Sequence, residues 1–231
     1  MAEVAVALRQ PKHWLELTED DLPCEDGEPV ESKRHYLQRA LLQEPLEHFW
    51  AGRQDVFIGA DQFLYFMEQQ TNTRYFRGPD LMVVTGAVRK ERKSWVVWQE
   101  GKVPDLVIEL LSDETRRFDQ TEKKRIYQDH LKAPEYYWYD PFSKELAGFR
   151  LVDGLYQPIE PDSRGRLVSR QIGLALALWD GQYGELSGTW VRWETLEGQI
   201  LPTGFEAAEQ ERERADRLAA QLRAMGIVPE G

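Results

Sequence analysis

Three residues in this sequence could carry chemistry together: Asp80, Glu109 and Lys123. Asp80 follows a proline at the head of an apolar run, and Glu109 interrupts a second apolar run at residues 103–111. A carboxylate inside an apolar strand is costly unless a nearby group compensates it. Two carboxylates can bind a hard cation such as magnesium, and an ammonium can stabilise charge that builds up in a transition state. These residue types therefore fit metal-assisted hydrolysis of a phosphodiester.

Each of these residues also has a simpler interpretation. An aspartate that follows a proline at a strand start is often only a cap. Glu109 could form half of a structural ion pair with Lys123 or Arg117, and spacing alone ranks this pair equal to a metal site. The ammonium of Lys123 could instead extend to solvent along its aliphatic stem. The alternatives differ in where folding places the three side chains.

Asp105 is the nearest acidic neighbour of Glu109 along the same strand. Strand side chains alternate, so the two carboxylates share one face but lie about 13–14 Å apart. That separation is too large for both to bind one ion unless the strand bends. Asp80, from a neighbouring strand, could lie beside Glu109 instead.

The elements that would position these groups can be predicted from periodicity and turn residues. A helix is expected at about 117–131, capped by Ser112 or Thr115 and ended by Pro134. Its inward stripe is predicted to comprise Asp119, Lys123, Ile126, Tyr127, His130 and Leu131. A first long helix is predicted behind Ser32, with Pro45 causing either a kink or a break into two helices. Further strands are predicted at residues 55–59, 62–67, 78–84, 95–98, 102–111, 136–139, 146–152 and 155–159.

Two basic runs flank the candidate site in sequence and could bind a phosphate backbone. The residues that we assign to nucleic-acid binding are Arg89, Lys90, Arg116, Arg117 and Lys124. The alternative is that these side chains form a solvated helix face and a charged turn.

Composition limits the class of protein. The chain has 231 residues with 29 Lys+Arg against 40 Asp+Glu, a net charge of -11, which argues against a protein that coats DNA but allows a local basic groove. Cys24 is the single cysteine, so neither an internal disulfide nor a cysteine-rich zinc site is expected. No apolar run reaches membrane-helix length, and no basic segment precedes the short apolar run at the N-terminus. We expect a soluble cytoplasmic protein that does not contact a membrane.

The chain divides into three predicted parts. Residues 1–30 form an N-terminal arm, residues 31–203 form one domain with a β-rich annex, and residues 204–231 form a charged C-terminal helix. Apolar residues in this helix recur at three- and four-residue steps, interrupted by Glu211. The helix is expected either to pack on its own domain or be partly frayed, or to form a homodimer contact.

Several of these residues occur in an ordered series that resembles a known family. The series is Gly78-Pro79-Asp80, Pro104 to Ser112, Thr115, Asp119, Lys123, Tyr127, Pro134-Glu135-Tyr136 and Asp140-Pro141. It resembles the Uma-two family of restriction endonuclease-like proteins. That family belongs to the PD-(D/E)XK nuclease superfamily and is abundant in cyanobacteria. The resemblance covers roughly residues 31–151 and extends more loosely to the C-terminal helix.

This resemblance implies an α/β fold with a restriction-endonuclease-like core. A mixed central β-sheet would be flanked by helices, with extra β-hairpins and the C-terminal helix added. Asp80 and Glu109 would be ligands of Mg²⁺ or Mn²⁺, Lys123 would be the catalytic lysine, and DNA would be the substrate. The superfamily lysine normally stands two residues after the strand acid, where this chain has Leu111; in this family it comes from the next helix.

The resemblance also implies supporting residues. Asp105 matches the second Pro-Asp of the family and is expected to be structural or to support the site indirectly. Asp119 and Tyr127 are expected to tune the helix face, and Glu31 to serve as an accessory acid. The leading hypothesis is a magnesium-dependent DNA endonuclease. The alternative is a catalytically inactive nucleic-acid-binding or protein-interaction module, which the net charge and the displaced lysine favour.

Overall fold

The computed structural model describes residues 12–22, 32–71, 78–112 and 116–225. The strands are, in chain order, β1 (Val56–Ala60), β2 (Leu64–Tyr65), β3 (Leu81–Thr85), β4 (Trp95–Val96), β5 (Leu106–Leu110), β6 (Glu135–Tyr139), β7 (Leu146–Val152), β8 (Leu155–Pro158), β9 (Leu167–Ser169), β10 (Leu174–Tyr183) and β11 (Leu186–Glu194). The longer helices are α1 (Lys33–Phe49) and a C-terminal helix (Gly204–Ala224). Short helices occur at Trp14–Glu16, Glu68–Thr71 and Val97–Glu100.

A mixed sheet with the strand order β1-β3-β5-β6-β7-β8 forms the centre of the protein. Within it β5 and β6 are parallel, and the other neighbours are antiparallel. A parallel pair requires a crossover connection. Residues 116–131, here called the crossover helix, provide it. This helix comprises Arg116–Phe118 and Lys124–Ile126 as α-helix, and Asp119–Lys123 and Tyr127–Leu131 as π-helix.

One face of the central sheet packs against α1 and the small antiparallel sheet β11-β10-β9. Ser32 caps the start of α1, because its hydroxyl accepts a hydrogen bond from the His35 amide at 3.2 Å. Gln38 joins the helix to the small sheet, because its side-chain amide exchanges two 2.9 Å hydrogen bonds with the backbone of Val191. α1 continues through Pro45 as one helix, so the predicted break into two helices is wrong.

The opposite face packs against the crossover helix and the two-stranded sheet β2–β4. Strand β5 contributes side chains to the cores on both faces of the central sheet. Leu106, Ile108 and Leu110 enter the core on the α1 side, while Val107 and Leu111 enter the core on the crossover side. Because strand side chains alternate, Glu109 points to the crossover side. The carboxylate therefore lies under the helix that carries Lys123.

Several predicted strands are shorter in the structure, among them the one at 102–111, which is reduced to Leu106–Leu110. The predicted strand at 62–67 is reduced to Leu64–Tyr65, and the predicted strand at 95–98 ends at Val96 and turns into the helix Val97–Glu100. Gly101 ends that helix in a left-handed conformation, with φ 71°, which glycine adopts without strain. None of these changes moves the candidate site residues.

The C-terminal helix starts with a capping box formed by Thr203 and Glu206, and Arg192 on β11 forms an ion pair with Glu206 at 2.5 Å. No residue of this helix is fully buried within its described length, and packing of the helix along its own domain stays a prediction. The homodimer contact stays a prediction. None of the described helices is both long and apolar enough to cross a membrane.

The expected fold class is confirmed: a mixed α/β architecture with a central mixed sheet, helices on both faces, extra strands and a C-terminal helix.

Candidate active site

Asp80 and Glu109 come from antiparallel neighbours in the sheet. The register pairs Leu81 with Ile108 and Met82 with Val107, so the next position places Asp80 directly opposite Glu109. Directly opposed residues share a face, with Cβ atoms about 4.5–5.5 Å apart. Asp80 is fixed by the backbone of β5, because its Oδ2 accepts a 2.7 Å hydrogen bond from the Leu110 amide. The sheet therefore brings the two predicted metal ligands together.

The crossover helix supplies two donors to Glu109. Lys123 Nζ donates to Oε2 at 2.7 Å, and the Tyr127 hydroxyl donates to Oε1 at 2.9 Å. Glu109 is 1% exposed, whereas the Lys123 side chain retains 14% of its exposure. Lys123 thus points at the carboxylate rather than to solvent, and it is the part of the pair that reaches the surface.

Asp119 completes a cluster of three carboxylates around one ammonium. Its Oδ1 lies 3.2 Å from Lys123 Nζ, and its side chain is 2% exposed. In the part of the chain that the structure describes, no donor makes a hydrogen bond to this oxygen. The cluster of Asp80, Glu109, Asp119 and Lys123 consequently holds more negative than positive charge when all four groups are ionised.

This imbalance affects the acidity of the groups. Burial raises the pKa of Glu109 to about 8; Lys123 opposes the change, and Asp119 and Asp80 add to it. Burial raises the pKa of Asp80 to about 6, against the lowering effects of Lys123 and the Leu110 amide. Burial alone would lower the pKa of Lys123, but the three carboxylates hold it above its usual value. Lys123 therefore stays charged.

Two α1 residues near Asp80 were not among the predicted site residues. His35 and Arg39 both favour the ionised form of Asp80. His35 is buried, with Nδ1 2.9 Å from the Ser32 hydroxyl and Nε2 3.0 Å from the Leu111 carbonyl. A carbonyl only accepts, so Nε2 carries the proton. A histidine three residues after a helix-capping serine is the sequence signal that could have suggested this contact.

Asp105 lies outside the cluster. Its Oδ2 accepts hydrogen bonds from the Thr85 amide at 2.7 Å and the Thr85 hydroxyl at 2.8 Å, and Lys102 lies 2.9 Å away. Thr85 ends β3, and Asp80 precedes its start, so Asp105 lies at the opposite end of the strand pair. These contacts give Asp105 a structural place. Glu31, the predicted accessory acid, lies outside the described residues.

Arg89 and Lys90, two of the residues assigned to nucleic-acid binding, make contacts within the protein. The Arg89 guanidinium donates to the Trp50 carbonyl at 3.0 Å, and the Lys90 ammonium lies 3.3 Å from Glu100. Arg89 also donates its amide to the Gln54 carbonyl, near the end of the sheet remote from Asp80. Arg89 therefore lies away from Asp80, and the charge of Lys90 is partly neutralised by Glu100.

The crossover helix places the other three predicted phosphate-binding residues differently. Arg116 forms an ion pair with Asp140, at the end of β6. The Lys124 ammonium lies 3.4 Å from the ring centroid of Phe149. Arg117 is exposed. Arg116 and Arg117 therefore stand at the start of the same helix that carries Asp119 and Lys123.

A family model described as "Uma2: Putative restriction endonuclease" matches residues 13–181, which is most of the chain. This chain belongs to the Uma2 family. The resemblance stated above is thereby confirmed. The chain is also similar to a solved structure described as a putative nuclease belonging to DUF820 from Anabaena variabilis ATCC 29413, with 15% identity, a TM-score of 0.44, and coverage of 58% of this chain and 72% of that chain. No curated protein matches it.

The Uma2 family implies a metal, and the residues of this chain fit one with few protein ligands. Across the described ranges, no three His, Cys, Asp or Glu side chains converge as a ready-made metal cage. Mg²⁺ needs fewer, since it binds through one or two carboxylates and otherwise through waters and substrate phosphates. The opposed pair Asp80 and Glu109 supplies such oxygens, and Asp119 adds a further negative charge beside them, its Oδ1 accepting no hydrogen bond from the described residues.

Proposed function

We propose that this Uma2 protein is a metal-dependent endonuclease that hydrolyses DNA phosphodiester bonds. The observation that carries the proposal is the contact of Lys123 with Glu109, opposite Asp80, on one face of the sheet. These three side chains have the types that phosphodiester hydrolysis uses, and they come from three different elements of the fold. Membership of a family of restriction endonucleases supports the same conclusion.

Asp80 and Glu109 would bind Mg²⁺ or Mn²⁺. When bound, the cation would neutralise a phosphate oxygen and lower the pKa of an attacking water. The protein contributes by fixing its ligands in advance: the Leu110 amide holds Asp80, and the Tyr127 hydroxyl holds Glu109. Partners of this kind orient metal ligands, and their loss typically lowers metal affinity about 10–100-fold.

Lys123 would stabilise the negative charge that builds up on the phosphate in the transition state. Its origin in the crossover helix has a structural reason. Leu111, at the position where the superfamily carries its lysine, is fully buried in the core on the crossover side. A lysine ammonium there would lose its hydration, whereas Lys123 reaches the same carboxylate and still touches solvent. The displaced lysine therefore suits this core.

DNA would approach from the surface where the cluster meets solvent. Arg116 and Arg117 precede Asp119 and Lys123 on the crossover helix, and Arg39 lies near Asp80. Positive side chains of this kind attract a phosphate backbone even on an acidic protein, because the local field decides the contact.

The test is cleavage of plasmid and linear DNA with Mg²⁺ or Mn²⁺ by the wild type and by Glu109→Gln. Cleavage should require the cation and should fall to background in the variant. A matched control is Glu135→Gln, which changes another buried glutamate on the neighbouring strand and should keep its cleavage per folded molecule. Equal cleavage by wild type and Glu109→Gln would rule out the proposed mechanism.

A catalytically inactive nucleic-acid-binding or interaction module is the second candidate. The observation in its favour is that Lys90, Arg116 and Lys124 are engaged within the protein, as is Arg89. This candidate predicts no DNA cleavage under any cation condition. It also allows a homodimer through the exposed C-terminal helix, which sedimentation of the full chain and of a chain ending at Thr203 would distinguish.

A further inference from the structure

The oxygen Oδ1 of Asp119 is buried without a hydrogen bond from the described residues, and the packing of the protein does not explain this. Its nearest cation is Lys123 Nζ at 3.2 Å. A buried acceptor without a hydrogen bond is unfavourable, and more so when it is charged. A neutral side chain of the same shape would avoid this penalty. The ion pair with Lys123 therefore leaves the hydrogen-bonding capacity of this oxygen unused.

The proposed function, on which this inference rests, creates a conflict at Glu109. Its Oε2 accepts from Lys123 and its Oε1 accepts from Tyr127, so both oxygens are engaged. A cation that binds Glu109 must compete with the ammonium for the same carboxylate. The lysine then needs another anion, because a buried ammonium without a partner is strongly unfavourable.

We propose that Asp119 is a positioning residue that receives Lys123 when Glu109 turns to the metal. The ammonium already lies 2.7 Å from Glu109 and 3.2 Å from Asp119, so a small shift exchanges the nearer partner for the other. The oxygen that would accept it has no competing donor. Asp119 thus keeps Lys123 charged and beside the phosphate while it releases Glu109.

The crossover helix lets the lysine move while the aspartate stays. Asp119 is held by its backbone, since the Tyr136 hydroxyl donates to the Asp119 carbonyl at 3.0 Å. The ammonium of Lys123, in contrast, lies at the end of a flexible four-carbon side chain. The two residues bound a π-helical turn, a feature that appears frequently at functional sites. The fixed Asp119 and the mobile Lys123 are the two parts needed for the ammonium to pass from Glu109 to Asp119, a transfer here called the hand-over.

The competing explanation is a static ion triad in which Asp119 only stabilises the fold. The two explanations predict opposite results for Asp119→Asn. A hand-over predicts weaker metal binding and unchanged or higher stability of the metal-free protein, because the amide removes an unsatisfied charge and a repulsion with Glu109. A static triad predicts lower stability and unchanged metal binding.

The experiment measures Mn²⁺ affinity by calorimetry and metal-free stability by urea unfolding, on the full chain. Asp119→Asn should bind Mn²⁺ about 10–100-fold more weakly. Glu109→Gln identifies the heat that belongs to this site. Glu135→Gln is the matched control, and should lose stability while keeping its Mn²⁺ affinity.

A double-mutant cycle separates the hand-over from a simple effect of charge. Lys123→Gln removes the competing ammonium, so Asp119→Asn should have little effect on Mn²⁺ affinity in that background. An equal loss in both backgrounds would mean that Asp119 acts without Lys123, and would overturn the proposal. Loss of stability in Asp119→Asn, or unchanged Mn²⁺ affinity, would also overturn it. If the wild type itself binds no Mn²⁺, the proposed metal-dependent function fails, and the hand-over fails with it.

Discussion

Two buried glutamates on neighbouring parallel strands have opposite environments. Glu109 on β5 is 1% exposed and Glu135 on β6 is fully buried. Glu135 accepts from Arg150 at 3.1 Å, from the hydroxyls of Tyr137 and Ser169 at 3.0 and 2.5 Å, and from the Arg170 amide at 3.0 Å. Every one of these groups is a donor. Glu135 is a buried charge whose compensation is complete.

Glu109 shares its single cation. Lys123 also faces Asp119, and Asp80 lies across the strand. Glu109 and Asp119 thus share one ammonium, which is an arrangement that a stability requirement alone does not favour. Burial of a carboxylate alone therefore does not mark a functional site. The marker is burial with incomplete compensation, because that is the state a cation or substrate can complete.

The largest expected difference between the two glutamates is in activity. Glu109→Gln should lower DNA cleavage at least about 100-fold, the scale seen when one electrostatic contact to the transition state is lost. Glu135→Gln should leave cleavage per folded molecule close to wild type. Initial rates at saturating Mn²⁺ measure both. A similar loss of cleavage in both variants would contradict a specific role of Glu109 in the reaction.

The second difference is in stability, with the opposite sign. Glu135→Leu leaves Arg150 without its buried partner, and should cost about 3–5 kcal/mol of unfolding free energy. Glu109→Gln should cost little at pH 8, because it removes one of three crowded carboxylates. Urea unfolding of both variants without metal tests this. A larger loss for Glu109→Gln than for Glu135→Leu would contradict it.

The third difference is in pH dependence. Because the folded-state pKa of Glu109 is raised from 4.5 to about 8, the folded chain binds this proton more tightly than the unfolded chain. Metal-free stability should therefore fall as pH rises from about 5 to 8, by up to about 1.4 kcal/mol per unit. Asp80 adds a decline of the same sign up to about pH 6. In Glu109→Gln the decline between pH 6 and 8 should disappear, which unfolding at fixed ionic strength would measure.

The smallest effect is expected at Tyr127. Tyr127→Phe removes the hydroxyl that donates to Glu109 Oε1 and keeps the packed ring. Stability should change by about 1 kcal/mol, the usual net value of one hydrogen bond. Mn²⁺ affinity should fall by about tenfold, because the ligand is less well oriented. Unchanged affinity would mean that Lys123 alone orients Glu109.

Much of the candidate site could be predicted because its residues violate local rules. A glutamate inside the apolar strand β5, an aspartate at the start of β3 and a lysine on the inward face of a helix each conflict with simple patterning. The rise per residue along an extended strand separates Asp105 from Glu109. The helix predicted at about 117–131 from periodicity runs from 116 to 131 in the structure.

Other features depend on tertiary contacts that no local pattern encodes. The contact of His35 with the Leu111 carbonyl, 76 residues away in sequence, is one of them. His130 was assigned to the inward stripe but is exposed, because the π-helical turns rotate the later residues relative to an ideal α-helix. The internal engagement of Lys90, Arg116 and Lys124 likewise depends on partners far away in sequence.

The C-terminal helix has a consequence for the boundary of the folded unit. It extends 21 residues, about 31 Å, and is tied to the body near its start by the contact of Arg192 with Glu206. Its outer turns carry exposed arginines, including Arg217, whose side chain is 68% exposed. Opening these turns disturbs neither face of the central sheet. A protease that cuts after arginine should therefore trim the outer turns of this helix first and leave behind a folded body that ends at or beyond Arg212.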